Sequence, residues 1–262
     1  MLHKSYADTD YGQVHLRTVG AAGDESMPPL VCLHPAPSSG LYFTTAMPLL
    51  NNGRRVIAPD YPGYGGSDAL TDAASIAVYA KAMLQAIDAD EPVDLLGFHT
   101  GCLVAVEMAL QAPSSIRRLV LCDIPYFTGE TRQRLAEKMS VPMPIGPELD
   151  SIAGPWKFNI ESRVADVPLP RAIELFAEHM RVGPNDAHGF AAAFAYDCVA
   201  NFAKLDADTF VFATQSGLHA PSVEAAAQID GARFVDVTEV TSAVFESGAS
   251  AICTRINSAL DT

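Results

Sequence analysis

Val93-Asp94-Leu95-Leu96-Gly97-Phe98-His99-Thr100-Gly101 is the stretch on which the fold turns. Its first half is a short apolar run of the length and composition of a fully buried strand. From 101 to about 112 the chain reads as a helix, ended by Pro113. His99 therefore stands at the junction of a strand and a helix, with Gly97 and Gly101 on either side of it.

Working outward, similar runs recur at Leu30-Val31-Cys32-Leu33, Arg55-Val56-Ile57-Ala58 and Leu119-Val120-Leu121-Cys122, then at Phe210-Val211-Phe212-Ala213 and Phe234-Val235-Asp236-Val237. Apolar runs without alternation, separated by helices, indicate a parallel sheet covered on both faces. Gln13-Val14-His15-Leu16-Arg17 alternates instead, as an outer antiparallel strand does. Residues 72–88 place Ile76, Tyr79, Met83 and Ile87 at helical spacing, and a last helix is expected over 247–260. No internal repeat is visible.

The alternation of strands and helices stops between 126 and 205. Pro142, Pro144, Pro147, Pro155, Pro168 and Pro170 punctuate short helical stretches there, and no strand-like run occurs. A helical insertion in the middle of a sheet reads as a lid over the strand ends. A separate helical domain is the less favoured reading, because the segment is short and strands resume after it.

Composition narrows the partners. Of 262 residues 49% are hydrophobic, enough for a large core, and 31 acidic residues against 17 basic ones leave a net charge of −14. Nucleic acid and anionic membranes need basic patches, so neither is expected as a partner. The N-terminal stretch has no apolar signal region and no run approaches a membrane span, so a cytoplasmic location is expected. The five cysteines, an odd number irregularly spaced, read as buried free thiols. No Cys/His cluster has metal-ligand spacing, and neither metal nor cofactor is expected.

Three motifs, in order, resemble the α/β-hydrolase family. His34-Pro35-Ala36-Pro37-Ser38-Ser39-Gly40 is similar to its His-Gly-x-Pro turn. Ala58-Pro59-Asp60-Tyr61-Pro62-Gly63-Tyr64-Gly65-Gly66-Ser67-Asp68 closely matches its Asp-x-Pro-Gly-x-Gly-x-Ser signature. The opening stretch falls at the nucleophile elbow, where the chain turns sharply from strand to helix and presents one side chain at positive φ. The resemblance implies an α/β fold with a mostly parallel eight-stranded sheet flanked by helices. It also implies a helical lid after the sixth strand, with a core of 1–125 and 206–262 and a lid of 126–205.

The elbow residue of that family is serine, cysteine or aspartate; here it is His99. The family's acid follows the seventh strand, but Ala213-Thr214-Gln215-Ser216-Gly217-Leu218-His219-Ala220-Pro221 contains no carboxylate, and Gly217 falls near the acid's place. The family's histidine follows the last strand, where Thr241 stands instead, and no histidine occurs after His219. An acyl-serine mechanism is therefore not expected.

His99 is read as a general base or acid at the pocket floor, with a neutral ring favoured by the helix N-terminus behind it. The competing reading is a relic of a disabled triad; the functional one is preferred because strained elbow positions are costly to keep without use. Asp123, after the sixth strand, is a candidate to orient His99, and equally an ordinary strand-end carboxylate. His219 is a candidate second base, or a surface histidine.

His34 and Ser38 belong to the first motif, where His34 is expected mainly to support the turn. The N–H groups of Ala36 and Thr100 would form an oxyanion hole by family geometry, although Pro35 removes a donor from that turn. In the insertion Tyr126, Trp156 and His188 are candidates to line a pocket, against a packing role. Asp60 is expected to hold its loop.

The expected activity is on a small, partly apolar carbonyl-type molecule without a Ser-His-Asp triad. It covers hydrolysis or C–C/C–O lyase chemistry, with His99 as general base or acid. The alternative is a non-catalytic protein that holds a ligand in the lidded pocket. The expected partner is a small molecule, and a homodimer is left open.

Overall fold

The computed structural model describes residues 1–20, 26–70, 74–87, 91–143 and 145–261. Eight strands form one sheet: β1 (Leu2–Thr9), β2 (Gly12–Val19), β3 (Leu30–Leu33), β4 (Val56–Pro59), β5 (Val93–Phe98), β6 (Ile116–Cys122), β7 (Asp208–Thr214) and β8 (Arg233–Val237). Their order is β1-β2-β4-β3-β5-β6-β7-β8. The pairs β1/β2 and β2/β4 are antiparallel and all others parallel. A short helix, a longer one and the elbow helix follow early strands: α1 (Met47–Leu50), α2 (Ile76–Ile87) and α3 (Thr100–Gln111).

β1 is an addition to the sequence reading. Its residues are mostly exposed, so it carries no apolar run; backbone pairing with β2, in register from Leu2↔Val19 to Thr9↔Gly12, holds it. The remaining strands lie within a few residues of their expected places. The two ends of the helix expected over 72–88 fall outside the described residues.

Strand side chains alternate between two cores. Val31, Leu33, Leu95, Leu119, Leu121 and Val211 pack with α2 and α3 on one face. Leu30, Cys32, Leu96, Phe98, Val120 and Phe212 pack on the other with α1 and with the closing helix described below. Both faces are buried, which is why the central strands read as unbroken apolar runs.

Between β6 and β7 the described chain holds no strand. It forms α4 (Gly129–Met139), α5 (Asp150–Trp156), a π-turn (Lys157–Glu161), α6 (Leu169–Val182), α7 (His188–Ala195) and α8 (Cys198–Phe202). Ile160, Val167, Ala172 and Phe176 give this insertion a small core of its own. It is tied to the sheet layer by Tyr196, whose hydroxyl donates to Glu107 of α3 at 2.9 Å, and by Ser39, which donates to Glu178 of α6 at 2.5 Å. After β7 come α9 (His219–Ala226) and, after β8, α10 (Ala249–Leu260), the closing helix of the second core.

The chain runs from β3 to β4 on one side and then crosses to β5 on the other. In open α/β sheets such a switch point, at the carboxyl ends of the strands, is where ligands bind. The His34–Gly40 turn and the His99 elbow both leave the sheet there. No helix among the described residues is long and apolar enough to cross a membrane. All five cysteines are unpaired and buried.

Candidate active site

The elbow is built by close approach. A side chain on Gly97 would meet Cys102 Cα at 2.6 Å, and one on Gly101 would collide with the carbonyl oxygen of Leu33. Two glycines therefore let the first turn of α3 sit against the ends of β5 and β3 at once. Cys102 Sγ reinforces the turn, lying 3.3 Å from the Gly97 carbonyl and 3.2 Å from that of Cys122. His99 takes the strained place, at φ 50° and ψ −118°.

The His99 ring is half-buried and packs on Phe98, with centroids 4.0 Å apart. Among the described residues its imidazole makes no hydrogen bond. Burial lowers its pKa from 6.5 to about 4, the charge of Arg163 adds to that, and Asp123 opposes it. The ring is thus neutral at physiological pH. The N–H groups of Ala36 and Thr100 are likewise without a partner among the described residues, Thr100 because it opens α3.

Asp123 shares the unusual backbone of its neighbour, with φ 53°. It is fully buried, and both carboxylate oxygens are engaged by one residue: Thr214 N donates at 2.8 Å and Thr214 Oγ1 at 2.6 Å. No hydrogen bond joins it to His99 among the described residues, so Asp123 acts on the imidazole through its charge while it fastens β6 to the end of β7.

His34 is enclosed. Its Nε2 accepts from Tyr61 N at 3.1 Å, its Nδ1 donates to the Pro35 carbonyl at 3.0 Å, and its ring stacks on Tyr61 at 3.9 Å. Both ring nitrogens are occupied, which makes it a brace of the turn and leaves no polar atom for a ligand. Ser38 is half-buried, with its N–H closing the turn on Pro35. Asp60 holds its own loop, accepting from His15 Nδ1 at 2.9 Å, Gly40 N at 2.7 Å, Gly66 N at 2.8 Å and from Arg17.

A cavity of 180 Å³ lies between α6 with its preceding turn and the loop after β8, and neither His99 nor any other residue of the elbow lines it. Tyr42, Arg163, Asp166, Ser242 and Glu246 supply its polar wall, and Val167 and Leu175 part of its apolar one. Phe98 connects it to His99, since its ring also stacks on Tyr42 at 5.5 Å. The loop after β8 is itself strained at Ala243, with φ 43°.

The other expected residues lie elsewhere. His219 is half-buried with Nε2 3.6 Å from Asp236, on an open groove formed with Gln215, Ser216, Thr238 and Glu239. Tyr126 is packed on Phe202 at 5.7 Å, Trp156 meets Phe176 edge-on at 6.3 Å, and His188 is exposed at the start of α7. None of these four lines the cavity. Tyr42, Arg163 and Glu246, which do, were not singled out by sequence, because no local spacing connects them. Among the described residues no group of three or more His, Cys, Asp or Glu side chains is placed to hold a metal.

This sheet order, elbow and helical insertion define the α/β-hydrolase fold, and the chain has it. The family described as "alpha/beta hydrolase fold" matches residues 28–142. The enol-lactonase structure from Burkholderia xenovorans superposes with a TM-score of 0.78 at 19% identity, covering 98% of this chain and all 100% of that one. The chain is 34% identical over 104 residues to a pimeloyl-[acyl-carrier protein] methyl ester esterase of Methylococcus capsulatus, which is 39% of this chain and 40% of the relative. It is 35% identical over 100 residues to a 2-hydroxymuconate semialdehyde hydrolase of a Pseudomonas species, covering 36% of this chain and 35% of the relative. The matching segments thus span well under half the length of these relatives.

Proposed function

We propose that the chain is an enzyme acting on a small, partly apolar carbonyl compound, with His99 as general base and then general acid and no covalent intermediate. The observation that carries this reading is the elbow itself. A neutral imidazole stands at positive φ, and both it and the backbone N–H groups of Ala36 and Thr100 are free of hydrogen bonds among the described residues. The hydrolases and esterases among the partial relatives support carbonyl chemistry.

In hydrolysis His99 takes a proton from water as the water oxygen attacks the carbonyl carbon. The carbonyl electron pair moves to oxygen, where the N–H groups of Ala36 and Thr100 receive the negative charge. Collapse expels the leaving group, which takes the proton back from the imidazolium. In a C–C lyase reaction the same ring removes a β-hydroxyl proton, the C–C bond electrons pass into an enolate held by the same donors, and the proton returns to carbon. The segment 126–205 serves as the lid that keeps bulk water out of either reaction, over a core of 1–125 and 206–262.

The test is a panel of short esters and β-hydroxy-carbonyl compounds. Turnover by the parent protein that falls about 10²–10⁴-fold in His99→Ala is the expected result; full activity in that variant on a substrate the parent turns over overturns it. Organophosphate and sulfonyl fluoride probes should leave no stoichiometric adduct on any serine by mass spectrometry. A second reading, a protein that holds a ligand without turning it over, is favoured because no hydrogen bond among the described residues orients the imidazole. Tight binding without turnover across the panel would select it.

A further inference from the structure

Among the described residues, one cation in the wall of this cavity has no ion pair. Glu246 is neutralised by Arg171, which donates to its Oε1 from Nε at 2.9 Å and from Nη2 at 2.8 Å, while Thr45 donates to Oε2 at 2.8 Å. Asp166 accepts from Ser242 Oγ at 2.8 Å. Arg163, half-buried in the same wall, has no ion pair or side-chain hydrogen bond among the described residues. A guanidinium in that position has five N–H donors and no acceptor, in a fork shaped for a carboxylate.

We propose that Arg163 is the anion-binding residue of this cavity and that the ligands of the site are small monocarboxylates with an apolar body. This deepens the reading of His99 above and rests on it, the link between cavity and imidazole being the Phe98 ring that packs on both Tyr42 and His99. Size sets the class: the cavity measures 180 Å³, and a 150 Å³ cavity engineered in another protein holds benzene. The Tyr42 ring with Val167 and Leu175 receives the apolar body, and one carboxylate matches one unpaired guanidinium. A dianion is not matched, because the remaining charges on the wall are acidic. Arg163 also lowers the pKa of His99; a bound carboxylate offsets that charge and makes the imidazole a stronger base once the site is filled.

The experiment is calorimetric titration of the full chain with benzoate, 2-oxobutyrate and 4-oxopentanoate, each against its neutral amide. At least one carboxylate should bind tenfold or more tightly than its amide. Arg163→Gln should abolish that preference and Arg163→Lys should retain part of it, with circular dichroism checking that each variant is folded. No preference for any carboxylate, or a preference that survives in folded Arg163→Gln, overturns the proposal. Failure of the two readings is separable. A carboxylate preference lost in Arg163→Gln, in a protein that turns nothing over, keeps the anion site and removes the base. His99-dependent turnover of neutral esters without that preference does the reverse.

Discussion

His99 and Asp123 both hold positive φ, at 50° and 53°, and each such non-glycine residue costs on the order of 1–3 kcal/mol. Two at the ends of the adjacent strands β5 and β6 mark where the fold spends stability on geometry. The His99 pKa of about 4 has two consequences with different signs of interest. For catalysis, the base form persists on acidification, so the acid limb of kcat/KM should lie near pH 4 to 5, not near 6.5; a pH–rate profile reads this directly. For stability, the folded pKa lies below the unfolded one, so the unfolded chain binds more protons between about pH 6.5 and 4. Stability is therefore lost as pH falls through that window. Fully buried His34, also lowered to about 4, by burial, adds to the effect by up to roughly 3 kcal/mol; the half-buried His99 adds less. Urea unfolding at several pH values should show this slope, shallower in His99→Gln. The strained residue was legible through the resemblance of its stretch to the family's elbow, with two flanking glycines after an apolar run. The bonding of Asp123 was not, since Thr214 lies 91 positions away and nothing in the local sequence ties the two.

At the scale of elements, apolar runs placed the strands, and apolar spacing with proline punctuation placed the helices of the core. Apolar runs mark β3 to β7 because both sheet faces are covered. β1 escaped because an edge strand with exposed side chains is held by backbone pairing, which leaves no hydropathic trace. The helices of the insertion were legible as a group and not singly, since the prolines that break them set only approximate ends. The elbow gives the sharpest element-level prediction. Gly101→Ala drives a methyl group into the Leu33 carbonyl, backbone that cannot swing aside. The loss should be at least about 3 kcal/mol, in the upper range of single substitutions, read as a lower denaturation midpoint. An unchanged midpoint would mean that α3 and β3 do not meet as described.

For the whole molecule, polar clamps join the insertion to the sheet and its loops. Arg171 of α6 is the broadest, reaching Glu246 after β8 and the Leu41 carbonyl at 2.8 Å. Arg171→Ala leaves the largely buried Glu246 without its cation, a loss of roughly 3 kcal/mol. Hydrogen exchange should then rise over 157–182 and stay unchanged in β3, β5 and β6; uniform acceleration across the sheet would show that insertion and core open together. The cavity illustrates why a site can be illegible when its fold is not. Tyr42, Arg163 and Glu246 come from three distant parts of the chain and meet only when the insertion lies against the sheet.

The buried thiols give the molecule an internal clock. Burial raises the pKa of Cys198 and Cys253 to about 12 and holds Cys32, Cys102 and Cys122 well above the usual thiol value. A thiol reagent in neutral buffer therefore meets almost no thiolate until a segment opens. Cys198 lies in α8 of the insertion, whereas Cys32 and Cys122 lie in β3 and β6. Their alkylation times, read residue by residue, separate the breathing of the insertion from the unraveling of the sheet without the addition of any label site.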